Sequence, residues 1–305
     1  MEGHTYLPEG WGGPACLTKH TPQQLEHARK AGTVLYGRAI LCDPAQNLHV
    51  DLGCGRGIIP RDETALGIAE GKTREIAVLS RVGKPIGFHI LGQENGIWQL
   101  SRRSAQAAAA REYLAKLQPG DVIPARSTHL EPFGVFVDIG CGIISMIGIE
   151  NLTVSRIPHP AERVRPGQDL YAVVRAKMPS RIILSHKELL GTWEENAAEF
   201  TAGMTVSGIV RRIEPYGVFV ELAPNLCGLA ERRDDLQVGD GVTVYVKAIL
   251  PQRMKIKLVI LDRQAGTVRR MLRGEDYRIT GGHLDLWQYH PEACTEKQVM
   301  TRFDT

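Results

Sequence analysis

A chain of 305 residues, 43% of them hydrophobic, has room for two or three domains and can bury a core without covalent staples. Its net charge of +3 permits attraction to a polyanion but falls short of the basic composition that by itself announces nucleic-acid binding. With 32 glycines, 17 prolines and only 6% aromatic residues, the composition favours short strands and tight turns over long helices.

In chain order, Thr21-Pro22-x-Gln24 combines an N-cap, a first-turn proline and a capping-box partner, and predicts a helix that ends at Gly32. A segment of strand, acidic residue, glycine-containing turn and second strand then recurs as Asn47 to Pro60, Phe133 to Ser145 and Tyr216 to Glu231. Each copy follows a β-branched stretch (Thr33 to Leu41, Asp121 to His129, Met204 to Ile213) and precedes two further expected strands. Those are Glu75 to Val82 with Ile97 to Leu100, Leu170 to Lys177 with Arg181 to Leu184, and Val242 to Leu250 with Met254 to Val259. Five short strands per unit are what a small, closed Greek-key barrel needs to hide its edges. Between units, the alanine-rich Ser104 to Leu117 is predicted helical. So is His186 to Phe200, where Leu189, Trp193, Ala197 and Phe200 form one stripe suited to packing between barrels. After Asp262, Tyr277 to Tyr289 reads as a β-hairpin with a Gly281-Gly282 turn and His283, Asp285, Trp287 and Tyr289 on one face, where Trp287 either packs on the third barrel, the favoured reading, or adds a base-stacking surface.

The expected architecture is therefore all-β. It comprises an N-terminal extension with a helix (1–32), a first barrel (33–103), a linker helix (104–117), a second barrel (118–187), a linker helix (188–200), a third barrel (201–262) and a C-terminal extension with the hairpin (263–305). Period-2 alternation sends Leu48/Val50/Leu52, Val135/Val137/Ile139 and Val218/Val220/Leu222 inward. His49/Asp51, Phe136/Asp138 and Phe219/Glu221 then face out.

Outward aromatics need a reason. Phe133-Gly134-Val135-Phe136 and Tyr216-Gly217-Val218-Phe219 each hold two rings, and a bulge at the Pro-aromatic-Gly step is expected to turn the first ring onto the face of the second. Paired rings form a platform on which bases stack with little sequence preference, each stack being worth roughly 1–3 kcal/mol. Arg126, Arg175, Lys177 and Arg181 around the second pair are candidates to meet phosphates or bases, as are Arg211, Arg212, Lys247, Arg253, Lys255 and Lys257 around the third. The strongest candidate contacts are Phe133, Phe136, Arg181, Tyr216 and Phe219, followed by Arg126, Lys177, Arg211 and Lys255.

Units two and three closely resemble the RNA-binding repeat of the bacterial small-subunit ribosomal protein S-one family, an oligonucleotide-binding (OB) barrel. The resemblance covers roughly residues 33 to 262 and rests on the (F/Y)-G-V-F-V-(D/E)-(I/L) phrase, the following Gly142-Ile-Ile or Gly228-Leu-Ala, the Pro166-Gly167-Gln168-Asp169 and Val238-Gly239-Asp240 turns, and the closing Arg181-Ile-Ile-Leu-Ser185. It implies three tandem OB barrels, single-stranded RNA as partner, and a setting in translation, with mRNA captured near the small ribosomal subunit. It also implies contact through both aromatics, a histidine and the last-strand arginine. The histidine position is Ser145 in unit two and Glu231 in unit three, and the short connector from Glu231 to Gly241 points to a reduced face there. Unit one has Gln46 and His49 at the aromatic positions and Pro60 at the histidine position, so docking to the ribosome or to another protein is its expected role.

Two other chemistries fit the sequence poorly. Asp51-Leu-Gly53-Cys-Gly55-Arg-Gly57 approaches the glycine-rich loop of S-adenosylmethionine-dependent methyltransferases, but Ile58-Ile59-Pro60 continues as strand where a helix is needed. Cys16, His20, His290 and Cys294 could supply four metal ligands, yet the six cysteines contain no C-x-x-C pair and neither a zinc site nor a disulfide framework is expected. No cofactor and no catalytic arrangement is expected. Without a leader in Met1 to Gly13 or a membrane-length apolar run, neither is a membrane partner, and the protein is read as cytoplasmic. The alternative reading is a protein-interaction scaffold that docks to the ribosome or to RNA-decay machinery.

Overall fold

The computed structural model describes residues 6–13, 19–179 and 181–303. Helix α1 (Pro22–Ala31) starts on the Thr21/Gln24 capping box and stops at Gly32, which takes the left-handed conformation (φ 63°) that a helix C-terminus favours. Strands β1 (Leu35–Cys42), β2 (Leu48–Asp51), β3 (Arg56–Ile59), β4 (Pro85–Glu94) and β5 (Ile97–Ser101) then close a barrel in the order β1-β2-β3-β5-β4. Leu48, Val50, Leu52, Phe88 and Leu100 fill its centre.

The expected strand Glu75 to Val82 is instead the short helix α2 (Ile76–Leu79), with Leu79 and Ser80 donating backbone hydrogen bonds to the carbonyls of Glu75 and Ile76. The barrel wall comes from β4, where Ile86, Phe88 and Ile90 alternate into the core. A run of β-branched residues carried the strand reading; the stretch with inward period-2 alternation won the place.

Helix α3 (Arg102–Glu112) follows, capped by Ser101. The second barrel consists of β6 (Val122–Glu131), β7 (Gly134–Asp138), β8 (Ile144–Gly148), β9 (Asp169–Met178) and β10 (Arg181–Ser185), in the order β10-β8-β7-β6-β9. The continuous helix expected over His186 to Phe200 breaks at Gly191 (φ 83°) into a 3-10 turn, Lys187–Leu190, and helix α4 (Trp193–Ala197). Its apolar stripe nonetheless survives, since Leu189, Trp193 and Ala197 are buried in one core with Phe200 packed against them.

The third barrel, β11 (Thr205–Glu214), β12 (Gly217–Ala223), β13 (Leu226–Ala230), β14 (Asp240–Leu250) and β15 (Lys255–Thr267), repeats the order of the first as β11-β12-β13-β15-β14. All three barrels are closed and OB-like.

The Gly281-Gly282 hairpin does not form. Residues 282–284 pair instead with 120–122: Val122 donates to the carbonyl of Gly282, Leu284 to that of Gly120, and Asp121 bridges His283. Strand β16 (Leu286–Gln288) pairs with β17 (Met300–Arg302). The apolar face won over the turn signal: Trp287 and Tyr289, with Phe303, are buried in the core of the third barrel.

The inward alternation is as expected: Val50, Val135, Val137, Val218 and Val220 are fully buried. Asp138 and Glu221, expected on the surface, are buried as well. They do point away from their own barrel interiors, but other chain segments cover them. Asp138 accepts backbone hydrogen bonds from Glu9, Gly140 and Gly142 at 2.6–3.1 Å. Glu221 is clamped by Arg163 and by Arg211, whose Nε lies 2.7 Å away. Two compact units result. One holds the first barrel, α3, residues 124–126 and the 137–144 turn; the other holds the remainder of the second barrel, the third barrel and the C-terminal segment.

Candidate nucleic-acid interface

The two aromatic pairs begin at two-residue turns, Pro132-Phe133 between β6 and β7 and Pro215-Tyr216 between β11 and β12. The first ring of each pair therefore leaves the strand alternation because it sits in the turn, and the β11 bulge lies elsewhere, between Val210 and Arg212. The glycine that follows permits this. A Cβ at Gly134 would stand 2.5 Å from the carbonyl oxygen of Ile147, and one at Gly217 2.5 Å from that of Ala230, closer than any side chain allows.

Phe133 and Phe136 meet with ring centroids 6.2 Å apart at 82°, and Tyr216 and Phe219 at 6.2 Å and 88°. These are edge-to-face pairs, a favoured geometry for aromatic contacts. Phe133 is 55% exposed and Tyr216 66%, while Phe136 and Phe219 are half-buried beneath them. Each pair thus presents a free π-face held in place by a second ring.

Strand register sets the surroundings of the third barrel's pair. Arg212 on β11 is opposite Phe219 on β12, Phe219 opposite Leu229 on β13, and Leu229 opposite Lys257 on β15. Arg212 is paired with Glu214, whereas exposed Lys257 has no acidic partner among the described residues. In the first barrel the same row reads Leu41, His49, Ile58 and Gln99. His49 is turned to Asp43, with Nε2 3.2 Å from Oδ2.

In the second barrel His129 stands four residues before Phe133, as Arg212 stands before Tyr216, and its ring lies 6.2 Å from Phe136 with Nε2 2.6 Å from Glu131. Sequence reasoning missed His129. The equal spacing to Arg212 was the signal that could have found it.

The expected cations divide. Arg181 and Lys177 are exposed near the β9–β10 turn, with Lys177 opposite Ile182. Arg175 is exposed and donates to Asn151 Oδ1 at 2.6 Å. Lys247 is exposed, Lys255 is half-buried opposite Leu250, and Arg253 lies 3.8 Å from Glu296. Arg126 is half-buried beside Gly10.

Arg211, expected at the RNA surface, is buried and held by Glu162 at 3.1 Å and by Glu221. Its place beside the third aromatic pair made it a candidate phosphate contact, but the Glu162–Arg163 segment closes over it. Ser145, at the expected histidine position, spends its hydroxyl on the Ile182 carbonyl at 2.5 Å.

Elsewhere, Arg165, Arg269, Arg270 and Arg273 line a groove of about 940 Å³, but three of these four arginines are paired with Glu162, Asp276 and Glu275, which cancels most of its charge. Burial, followed by the adjacent Glu221 carboxylate, pushes the Cys227 thiol up to about 12 and leaves it un-ionised at neutral pH. Burial and then Glu9 push Asp138 up to about 7. His20 is bonded to the Tyr36 carbonyl and His290 to that of Val299, while Cys16 lies outside the described residues. Among the described residues no three His, Cys, Asp or Glu side chains converge as metal ligands, and no helix is long and apolar enough to cross a membrane. The Gly53–Gly57 turn leads into strand β3, antiparallel to β2, rather than into a helix.

Comparison with known proteins adds kinship. Residues 116–187 match the S1 RNA binding domain. The chain is 31% identical to small ribosomal subunit protein bS1 of Leuconostoc lactis over 58% of its length and 45% of that protein's. It is 29% identical to the bS1 homolog of Bacillus subtilis (70% and 56%) and 28% identical to that of Bacillus cereus (81% and 64%). The chain thus spans about half the length of the curated relatives it matches. The second barrel thus matches the S1 RNA binding domain, and a chain of three OB-like barrels is similar over most of its length to bS1 proteins.

Proposed function

We propose that the chain binds single-stranded RNA across the outer faces of the second and third barrels, and that it acts in translation on mRNA at the small ribosomal subunit. The observation that carries this reading is the pair of exposed rings, Phe133 and Tyr216, each braced edge-on by a half-buried partner. Such rings stack on any base, Arg212 and Lys257 share the row of Phe219, and exposed Lys177 and Arg181 near the β9–β10 turn supply positive charge on the second barrel. Two sites on one chain raise avidity when a strand reaches both.

A specific feature favours a second role for the first barrel. Its outer row carries Leu41, 52% exposed, and Ile58 with no cation, and its α2 segment exposes Ile76 and Leu79. An apolar outer surface of this kind suits docking to a protein, such as one on the ribosomal subunit, rather than to a polyanion.

The test is fluorescence anisotropy of a labelled single-stranded RNA of about 15 nucleotides. Phe133→Ala/Phe136→Ala and Tyr216→Ala/Phe219→Ala should each weaken binding, and the wild-type affinity should fall with added salt. Unchanged weak binding in both variants would sink the platform reading.

A further inference from the structure

Beside the third barrel's aromatic pair is a pocket of about 240 Å³ of which Phe219 forms one wall. The rest is assembled from chain segments outside the repeat phrase. Trp193 comes from α4, Tyr289 from just beyond β16, Met254 from the β14–β15 turn, and Val154 and Arg156 from the β8–β9 connector within the second barrel.

Resting on the RNA-binding reading above, we propose that this pocket receives one nucleobase turned out of a strand that runs over Tyr216 and Phe219, with Arg156 and Arg212 meeting the phosphates on either side.

Three observations carry it. The volume falls just below the roughly 300–1,000 Å³ of pockets for drug-sized ligands and suits a single ring system. Partly exposed Phe219, Met254 and Val154 form apolar walls over the buried Trp193 and Tyr289, and the polar groups among them are already satisfied: Arg211 is held by Glu162 and Glu221, the Tyr289 hydroxyl donates to the Asn225 carbonyl at 2.5 Å, and the Cys227 sulfur lies 3.2 Å from Ser155 Oγ. A base is therefore held there by stacking and apolar contact, not by readout of its edge. Finally, exposed Arg156 has no acidic partner among the described residues, and Arg212 is fixed by Glu214 directly across from Phe219. Two arginines among its lining residues, Arg156 without an acidic partner among the described residues and Arg212 shared with Glu214, favour a nucleotide over an apolar protein side chain.

The experiment uses the full chain and an RNA of about 15 nucleotides carrying 5-iodouridine, irradiated and mapped by mass spectrometry, together with anisotropy titrations. Adducts are expected on Met254 in addition to Tyr216 and Phe219. Val154→Trp, which fills the pocket, should lose roughly tenfold in affinity, the equivalent of one stacked base. Arg156→Ala should lose a few-fold and lower the salt slope by about one phosphate contact. If Val154→Trp does not retain the wild-type circular dichroism, the adduct map and the exposed Arg156→Ala decide. Adducts confined to Tyr216 and Phe219, with Arg156→Ala and a folded Val154→Trp binding as wild type, would overturn the pocket and leave RNA binding standing. Absence of RNA binding by the wild type would overturn both.

Discussion

Barrels one and three share a strand order and an inward residue set, Leu48/Val50/Leu52 in one and Val218/Val220/Leu222 in the other, all buried. Across the outer face, the same row of paired positions reads Leu41, His49, Ile58, Gln99 in the first and Arg212, Phe219, Leu229, Lys257 in the third. The outward acid differs too. Asp51 is exposed and caps the N–H of Gly53 at 2.9 Å, whereas Glu221 is sealed between two arginines. One set of alternating positions specifies a barrel, and the other is free to give it an aromatic, cationic surface or a neutral, apolar one.

The largest effect should separate the two acids. Glu221→Gln leaves Arg163 and Arg211 buried without their shared counter-charge and should cost on the order of 3–5 kcal/mol in urea unfolding. Asp51→Asn should change stability by less than about 0.5 kcal/mol. Equal effects would mean that the two outward acids do the same job.

Next come the aromatic positions. Tyr216→Ala/Phe219→Ala is expected to weaken single-stranded RNA binding by about 10- to 100-fold, and His49→Ala by less than about twofold, in matched anisotropy titrations. A comparable loss for His49→Ala would show that the first barrel also contacts RNA.

A gain-of-function experiment sharpens the contrast. Leu41→Arg, His49→Phe and Gln99→Lys together rebuild the third barrel's row on the first. In the Tyr216→Ala/Phe219→Ala background they should recover roughly fivefold in affinity. Failure of a folded variant to recover any affinity would show that the row alone does not make the site.

The smallest effect concerns one charge. Lys257→Ala should reduce affinity about two- to threefold and reduce the salt slope by about one contact, while Gln99→Ala should alter neither.

Much of this molecule was legible in its sequence because barrel walls are written in period-2 alternation and turn glycines. The three second strands, the α1 cap and the aromatic phrases all follow that local grammar. What was not legible depends on which segments come to lie over an outward face. Asp138 and Glu221 point away from their barrels as the alternation predicts, yet they and Arg211 are dry because Glu9 and the Glu162–Arg163 segment cover them. The Gly281-Gly282 turn failed for a similar reason, as the residues after it found partners at 120–122 and in the core of the third barrel. Alternation tells which way a side chain points, but not what waits there.

The ion cluster around Glu221 bears on how such a chain can be inherited. Arg163 and Glu162 precede the last two strands of the second barrel, yet they complete the electrostatics of the third. A recombination event that transplanted residues 201–262 into another protein would carry a buried Glu221–Arg211 pair stripped of half its counter-charges. Repeats two and three are thus bound to be exchanged together, as a doublet, although the sequence phrase that defines them suggests interchangeable cassettes.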